Sequence, residues 1–252
     1  MAIALRKPAE IEKLREANKI VAQTLDLLRQ SAKPGVTLHE LDALAEDFIR
    51  SSGAEPSFKG LYGFPNAVCT SLNQTIIHGI PSDYTLQNGD VIGFDVGTKL
   101  DGWFGDAAIT VGIGEINETD RSLIKCAEDT LYFAIDTIRE GMRFKELSAK
   151  IEDFIIEQGF QPLKGFCGHG IGRKPHEEPE IPNYLEGDNP KQGPKIKNGM
   201  VFCLEPMITQ KLRDPEILDD KWSVISKDGL NTSHYEHTVA VINGRAEILS
   251  KL

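Results

Sequence analysis

Four acidic residues stand alone in apolar, strand-like runs. Asp95 lies in Ile92-Gly93-Phe94-Asp95-Val96, Asp106 in the alternating run from Trp103 to Ile113, Glu205 in Phe202-Cys203-Leu204-Glu205-Pro206-Met207, and Glu236 in Tyr235-Glu236-His237-Thr238-Val239. Carboxylates buried together without a cation repel and take up protons. The first two can be placed by geometry. Asp101-Gly102 is a two-residue hairpin signal, so facing residues have numbers that sum to 203 and Asp95 lies opposite Ala108. Asp106 then shares that face on the diagonal, about 7–8 Å from Asp95 between backbones, and the two can grip one ion. His169, within the string Gly168-His169-Gly170-Ile171-Gly172, and His176 flank a glycine-rich turn, and spacing alone does not say which of them binds. Four acids with one imidazole suit Mn, Fe, Co or Zn in a two-metal site, not a structural zinc, which prefers cysteine. The glycine string is not a phosphate loop: it lacks G-K-[ST] and a following helix signal, and Pro175 and Pro179 come soon after.

The elements that must position these residues come in two copies. Between Gly35 and Pro56, ten residues recur unchanged 106 positions later, among them Gly35/Gly141, Glu40/Glu146, Phe48/Phe154 and Pro56/Pro162. His78-Gly79-Ile80 returns as His169-Gly170-Ile171, and Asn88-Gly89 opens a run ending in Asp95 as Asn198-Gly199 opens one ending in Glu205. Such a repeat is too long for a solenoid unit and reads as a duplicated half. Each half should bring a histidine and carboxylates to the junction. Apolar spacing predicts a helix over 9–30 and a second one capped by Thr37, with Glu40 as a capping box, and stopped by Gly53, and again helices over 118–139 and 144–157. Strands are expected from Val68 to Leu72, Thr75 to Ile80, Val91 to Leu100, Trp103 to Ile113, Val201 to Thr209 and His234 to Ile242. The stretch 177–198, with four prolines, and the polar stretch 210–233 are expected to be irregular. The fold class is α+β, a central antiparallel sheet with helices on one face. It forms a single catalytic domain over 1–252, duplicated at approximately 9–114 and 115–252.

A chain of 252 residues can bury roughly 70–75 % of its unfolded surface. The net charge of −10 argues against stable nucleic-acid binding, which needs a basic face. Cys69, Cys126, Cys167 and Cys203 show no framework spacing and read as reduced thiols. The start reaches charge after five residues with no leader-like apolar run, and no stretch is long enough to span a membrane. The expectation is a cytoplasmic protein, monomeric because no apolar edge or heptad face is left over.

Taken together, His78-Gly79-Ile80-Pro81, Asp95-Val96-Gly97 with Asp106, Gly168-His169-Gly170-Ile171-Gly172 with His176-Glu177-Glu178-Pro179, Glu205-Pro206-Met207 and Tyr235-Glu236-His237-Thr238 resemble the methionine aminopeptidase family, of the short bacterial type I kind. The resemblance runs from about residue 5 to the end. It implies the pita-bread fold and removal of the initiator methionine from nascent polypeptides whose second residue is small. It implies two divalent ions (Co, Mn, Fe or Zn) held by Asp95, Asp106, His169, Glu205 and Glu236, with Asp106 and Glu236 bridging, and Glu205 as general base. His78 and His176 would contact the scissile amide. Phe58, Leu61, Phe64, Cys69 and Trp222 would line the methionine pocket, and Asn73, Thr75 and Thr232 would bind a monovalent cation. The partners implied are nascent N-termini and, transiently, the ribosome. The chain departs from the common bacterial pattern at the pocket: Leu61 and Phe64 stand where tyrosines are usual, Phe58 where cysteine is, and Pro175 replaces an aromatic before His176.

Prolidases and X-Pro aminopeptidases use the same ligands, but they usually carry an additional N-terminal domain, whereas the first helix here is expected to start near residue 9. A type II methionine aminopeptidase would carry an insertion in the second half. Relatives that serve as binding modules lose ligands, and all five are present here.

Overall fold

The computed structural model describes residues 3–252. Met1 and Ala2, on which part of the expectation of no leader rests, lie outside the described residues. The first half begins with α1 (Pro8–Ser31) and α2 (Leu38–Ser51), followed by strands β1 (Glu55–Pro56), β2 (Val68–Leu72), β3 (Thr75–Ile77), β4 (Val91–Leu100) and β5 (Trp103–Gly112). The second half opens in the same way, with α3 (Glu118–Thr137), α4 (Phe144–Glu157) and β6 (Gln161–Pro162). It continues through β7 (Cys167–Gly170), β8 (Glu177–Pro182), β9 (Val201–Leu204), β10 (Met207–Thr209), β11 (Pro215–Ile217), β12 (Val224–Ser226), β13 (Ser233–His234), β14 (Glu236–Ile242) and β15 (Arg245–Ile248).

Helix α1 forms because Ile11, Leu14, Ala17, Val21, Leu25 and Leu28 recur at helical spacing, and all of them are buried. Thr37 caps α2: its hydroxyl accepts from the Glu40 N–H at 3.2 Å while the Thr37 N–H donates to the Glu40 carboxylate at 2.8 Å. The repeat uses half of this device, with the Arg143 N–H donating to Glu146 at 2.8 Å. Arginine has no acceptor with which to complete it.

Among the described residues, nine strands form the main antiparallel sheet in the order β1-β4-β5-β14-β9-β7-β8, with β2 added on β4 and β15 on β14. Apolar side chains of one face, including Phe94, Val96, Ala107, Phe202 and Val239, pack against the four helices in two clusters, one for each helix pair. The other face carries the acids. The hairpin register is as the sequence requires: Asp95 pairs with Ala108 and Gly97 with Asp106. Glu236 also pairs with Ala108, from the opposite side, and Cys69 with Asp95. One row across the sheet therefore runs Cys69, Asp95, Ala108, Glu236.

Several elements differ from the sequence expectation. The strand expected from Thr75 to Ile80 ends at Ile77, because His78 turns into the left-handed region (φ 57°). The runs from Val201 to Thr209 and from His234 to Ile242 are each two strands, broken at Glu205-Pro206 and at Tyr235. The first passes from the main sheet into a small sheet of β13, β10 and β6, and the second passes from that small sheet back into the main one. Pro206 supplies the physical reason at the first break, since it cannot donate to a ladder. The stretch expected to be a loop over 177–198 begins with β8, paired with β7. The stretch 210–233 contains β11 and β12, which extend β3 into a third sheet. No helix among the described residues is long and apolar enough to cross a membrane.

Candidate metal centre and substrate cavity

A cavity of about 510 Å³ opens on the acidic face of the main sheet. Asp95, Asp106, His169, Glu205 and Glu236 line its floor, together with His78 and His176. The His169 Nε2 lies 3.5 Å from Glu205 Oε1 and 4.0 Å from Asp106 Oδ2. Ligand atoms of Asp106, His169, Cys203 and Glu236 all fall within 4.8 Å of one another.

Strand alternation aims these groups. On β14, Glu236 faces the cavity while its neighbour His237 turns away to Ser250 at 2.8 Å. Asp106 is set from behind by α1, where the side-chain amide oxygen Oδ1 of the buried Asn18 accepts the Asp106 N–H at 3.2 Å. The Asp106 carbonyl accepts from the Thr238 hydroxyl at 2.7 Å. Glu205 projects where the chain leaves β9, and its carbonyl accepts from the Asn183 amide at 2.9 Å.

His169 sits on strand β7, not beside a free turn as the sequence suggested. The glycines around it allow close backbone approach. A side chain at Gly168 would run into the Cys203 carbonyl, and one at Gly170 into the Glu178 carbonyl. His78 reaches the cavity because its backbone turns out of the strand, and Gly79 lets that turn lie against Thr70 and Ser71. His176 ends a turn whose hub is Glu177. The Glu177 carboxylate accepts the N–H groups of Arg173 and Lys174 at 2.8 and 3.2 Å and is ion-paired with Arg6. The His176 and His169 rings meet in a T-shaped arrangement, with centroids 4.5 Å apart.

The electrostatics are those of acids crowded out of water. Burial pushes the Asp95 carboxyl up to about 7, against a hydrogen bond with Asp106 that lowers it. Asp106 is raised well above the ordinary range by burial, and then by the charges of Glu236 and Asp95. Glu205 and Glu236 are raised for the same reason, burial first and neighbouring carboxylates second. Burial lowers His169 to about 3 and His78 to about 4, with His176 adding to both shifts. His176 is also lowered by burial. The imidazoles are therefore neutral near pH 7 and free to ligate or to donate one N–H. Asp95 Oδ1, Asp106 Oδ1 and Glu236 Oε1 are fully buried with no hydrogen-bond partner among the described residues. Unpaired buried carboxylate oxygens are costly, and a divalent cation satisfies them, so the donor set fits a metal.

Phe58, Phe64 and Cys69 form a separate apolar cluster with Leu61 and Trp222 at one end of the cavity. Phe64 meets Trp222 edge to face at 5.2 Å. Asn73, Thr75 and Thr232 meet away from the cavity, where the Thr232 hydroxyl lies 3.0 Å from both the Asn73 and Thr75 carbonyls. Sequence reasoning missed three neighbours of the site. Tyr62 is exposed and stacked on His176 at 6.1 Å. Cys203 belongs to the ligand cluster. His234 has its Nε2 3.9 Å from Glu205. A polar residue two positions before Glu236, and a cysteine two before Glu205, were the available signals.

The model of metallopeptidase family M24 matches residues 12–243. The chain belongs to that family. The methionine aminopeptidase of Helicobacter pylori strain ATCC 700392 / 26695 is 61% identical over 252 residues, the full length of both chains. The crystal structure of a methionine aminopeptidase from Thermotoga maritima superposes with a TM-score of 0.96 at 34% identity, covering 100% of each chain. A prolidase from Pyrococcus furiosus is more distant, with a TM-score of 0.79 at 23% identity, and the match covers 98% of this chain but 65% of that one. The architecture is the pita-bread fold that these proteins share.

Proposed function

We propose that this chain is a methionyl aminopeptidase, which hydrolyses the first peptide bond of nascent proteins and peptides that begin with methionine followed by a small residue. The observation that carries the reading is the set of buried, unpartnered carboxylate oxygens of Asp95, Asp106 and Glu236 beside His169, next to an apolar slot. In this reading Asp95, Asp106, His169, Glu205 and Glu236 would hold two divalent ions (Co, Mn, Fe or Zn), with Asp106 and Glu236 serving both. Bound there, the ions supply Lewis acidity that makes water nucleophilic near neutral pH. Glu205 takes the proton of the attacking water and delivers it to the departing amide nitrogen. His176 donates its N–H to the oxyanion that develops on the carbonyl, and His78 holds the amide nitrogen. Phe58, Leu61, Phe64, Cys69 and Trp222 receive the unbranched thioether. Asn73, Thr75 and Thr232 offer two carbonyls and a hydroxyl to a monovalent cation. The chain acts as one catalytic domain with halves at approximately 9–114 and 115–252, as a cytoplasmic monomer that meets its substrates as they leave the ribosome.

The test is methionine release from a Met-Ala-Ser peptide by chelator-stripped protein titrated with Mn, Co, Fe and Zn salts, beside an Ala-Pro peptide. Metal-dependent release from the methionyl peptide alone is expected. Cleavage only before proline would move the chain to the prolidase branch, and silence on both peptides would make it a binding protein.

Arg6 gives a second expectation. It reaches from outside the catalytic elements to pair with Glu177, and with Arg173 it lies over the Trp103 ring, at 5.6 and 3.9 Å from the centroid. Arg6→Ala should free the turn that carries His176 and lower kcat roughly ten- to a hundredfold, the scale of a small misplacement of a reacting group. Bound metal should be unchanged. Steady-state kinetics beside metal analysis would check both.

A further inference from the structure

Glu205 lies between two imidazoles. On one side His169 Nε2 stands 3.5 Å from Oε1, and on the other His234 Nε2 stands 3.9 Å from Oε2. The first belongs to the ligand set already described. The second does not: His234 is no part of the cavity wall, it is only 4% exposed, and its Nε2 is wholly buried with no hydrogen-bond partner among the described residues.

His234 is also fixed in place. Its N–H donates to the Thr110 hydroxyl at 2.9 Å, the same hydroxyl donates back to the His234 carbonyl at 2.8 Å, and His234 pairs with Met207 across β13 and β10. With the backbone clamped on both sides, the ring is held behind the carboxylate. A buried ring nitrogen left without a partner is costly, and Glu205 Oε2 is the acceptor it faces. The last torsion of a glutamate is broad, so a small rotation of the carboxyl closes 3.9 Å to hydrogen-bond distance.

We infer that His234 is a positioning residue whose Nε2–H holds the outer oxygen Oε2 of Glu205, so that Oε1 is the oxygen presented to the cavity. The inference rests on the reading of Glu205 given above. It assigns the two carboxylate oxygens different duties: Oε2 is tethered to the protein, and Oε1 faces metal and water. Outer partners of this kind orient a ligating carboxylate and typically matter ten- to a hundredfold.

The experiment compares His234→Leu, which removes the donor, with His234→Gln, which keeps an N–H at similar reach. Methionine release from Met-Ala-Ser and calorimetric Mn(II) affinity are measured for both. His234→Leu is expected to lower kcat by about ten- to a hundredfold and to weaken Mn(II) binding by a similar factor, with KM within about twofold. His234→Gln should restore most of both losses. Equal impairment of the two variants, or a wild-type rate and affinity in His234→Leu, would overturn the inference. Because a leucine there could fail to fold, the unmutated protein supplies an independent readout. In histidine-labelled protein, His234 Nε2 must show the nitrogen chemical shift of a protonated ring nitrogen, and a bare Nε2 overturns the assignment. If the unmutated protein releases no methionine with any metal, the proposed activity fails. Mn(II) affinity and the nitrogen shift still decide the role of His234.

Discussion

Asp106→Asn is expected to abolish methionine release, by on the order of a thousandfold or more, while making the metal-free protein more stable. The loss follows from the several kcal/mol that a bound divalent ion contributes to the transition state. Asparagine keeps the shape but gives up the charge shared between the two ion positions. The gain follows from the crowding. Asp106 is raised by burial and then by Glu236 and Asp95, and Glu205 is raised in turn by Asp106. Without a cation, removing one carboxylate relieves the others. The pH dependence carries a definite sign. A carboxyl whose folded pKa exceeds its unfolded value binds more protons in the native state, so stability falls as pH rises toward the folded value. For Asp95 that value is about 7. Below about pH 6.5 the depressed histidines act in the opposite sense, so the carboxylate effect is cleanest above it. Thermal melts of metal-free protein between about pH 6.5 and 8 should therefore show Tm falling with pH. Saturating metal displaces those protons and should remove the fall. In Asp106→Asn the metal-free fall should be shallower, and added metal should shift Tm little. A metal-free Tm that climbs over this range would mean that the acids are not confined together.

Much of this site was legible because hairpin geometry is local. The Asp101-Gly102 turn determined the pairing of Asp95 with Ala108, and alternation then put Asp106 on the same face. Capping at Thr37 and the buried stripe of α1 were legible for the same reason: their partners lie within one or two turns. What escaped was set by distant contacts. Val201 to Thr209 has one apolar pattern but serves two sheets, and periodicity cannot see the change of partner at Glu205, although Pro206 marked the place. Strand β12 exists because it pairs with Thr75 and Ile77, far back in the chain. The glycines around His169 looked like a turn, and their reason is the backbone of Cys203 and Glu178 pressing from either side. The apolar runs marked Asp95, Asp106, Glu205 and Glu236, and the methionine aminopeptidase resemblance added His169, His78 and His176, whereas His234 and Cys203 became visible only once β13 and β14 lay beside β10 and β9.

His176→Ala is expected to lower kcat by about a hundred- to a thousandfold, the usual cost of losing one oxyanion donor, with bound metal and KM nearly unchanged. That combination separates it from Asp106→Asn, which loses the metal as well. The geometry explains why the imidazole can serve. Its ring meets His169 in a T-shaped arrangement at 4.5 Å and stacks on Tyr62 at 6.1 Å, so it is held at the cavity wall without being drawn into the carboxylate cluster. Burial holds its pKa below the ordinary histidine value, so near pH 7 it carries one N–H and no charge. A charged imidazolium there would oppose cation binding beside it. Two results should follow. Any break in the rate that belongs to His176 should lie below the ordinary histidine pKa of about 6.5, because burial lowers it. His176→Gln, which offers an amide N–H at similar reach, should recover part of the loss. A break near that pH that vanishes in His176→Ala would instead assign the residue a proton-transfer role. An unchanged rate in His176→Ala would leave oxyanion stabilisation to the metal alone.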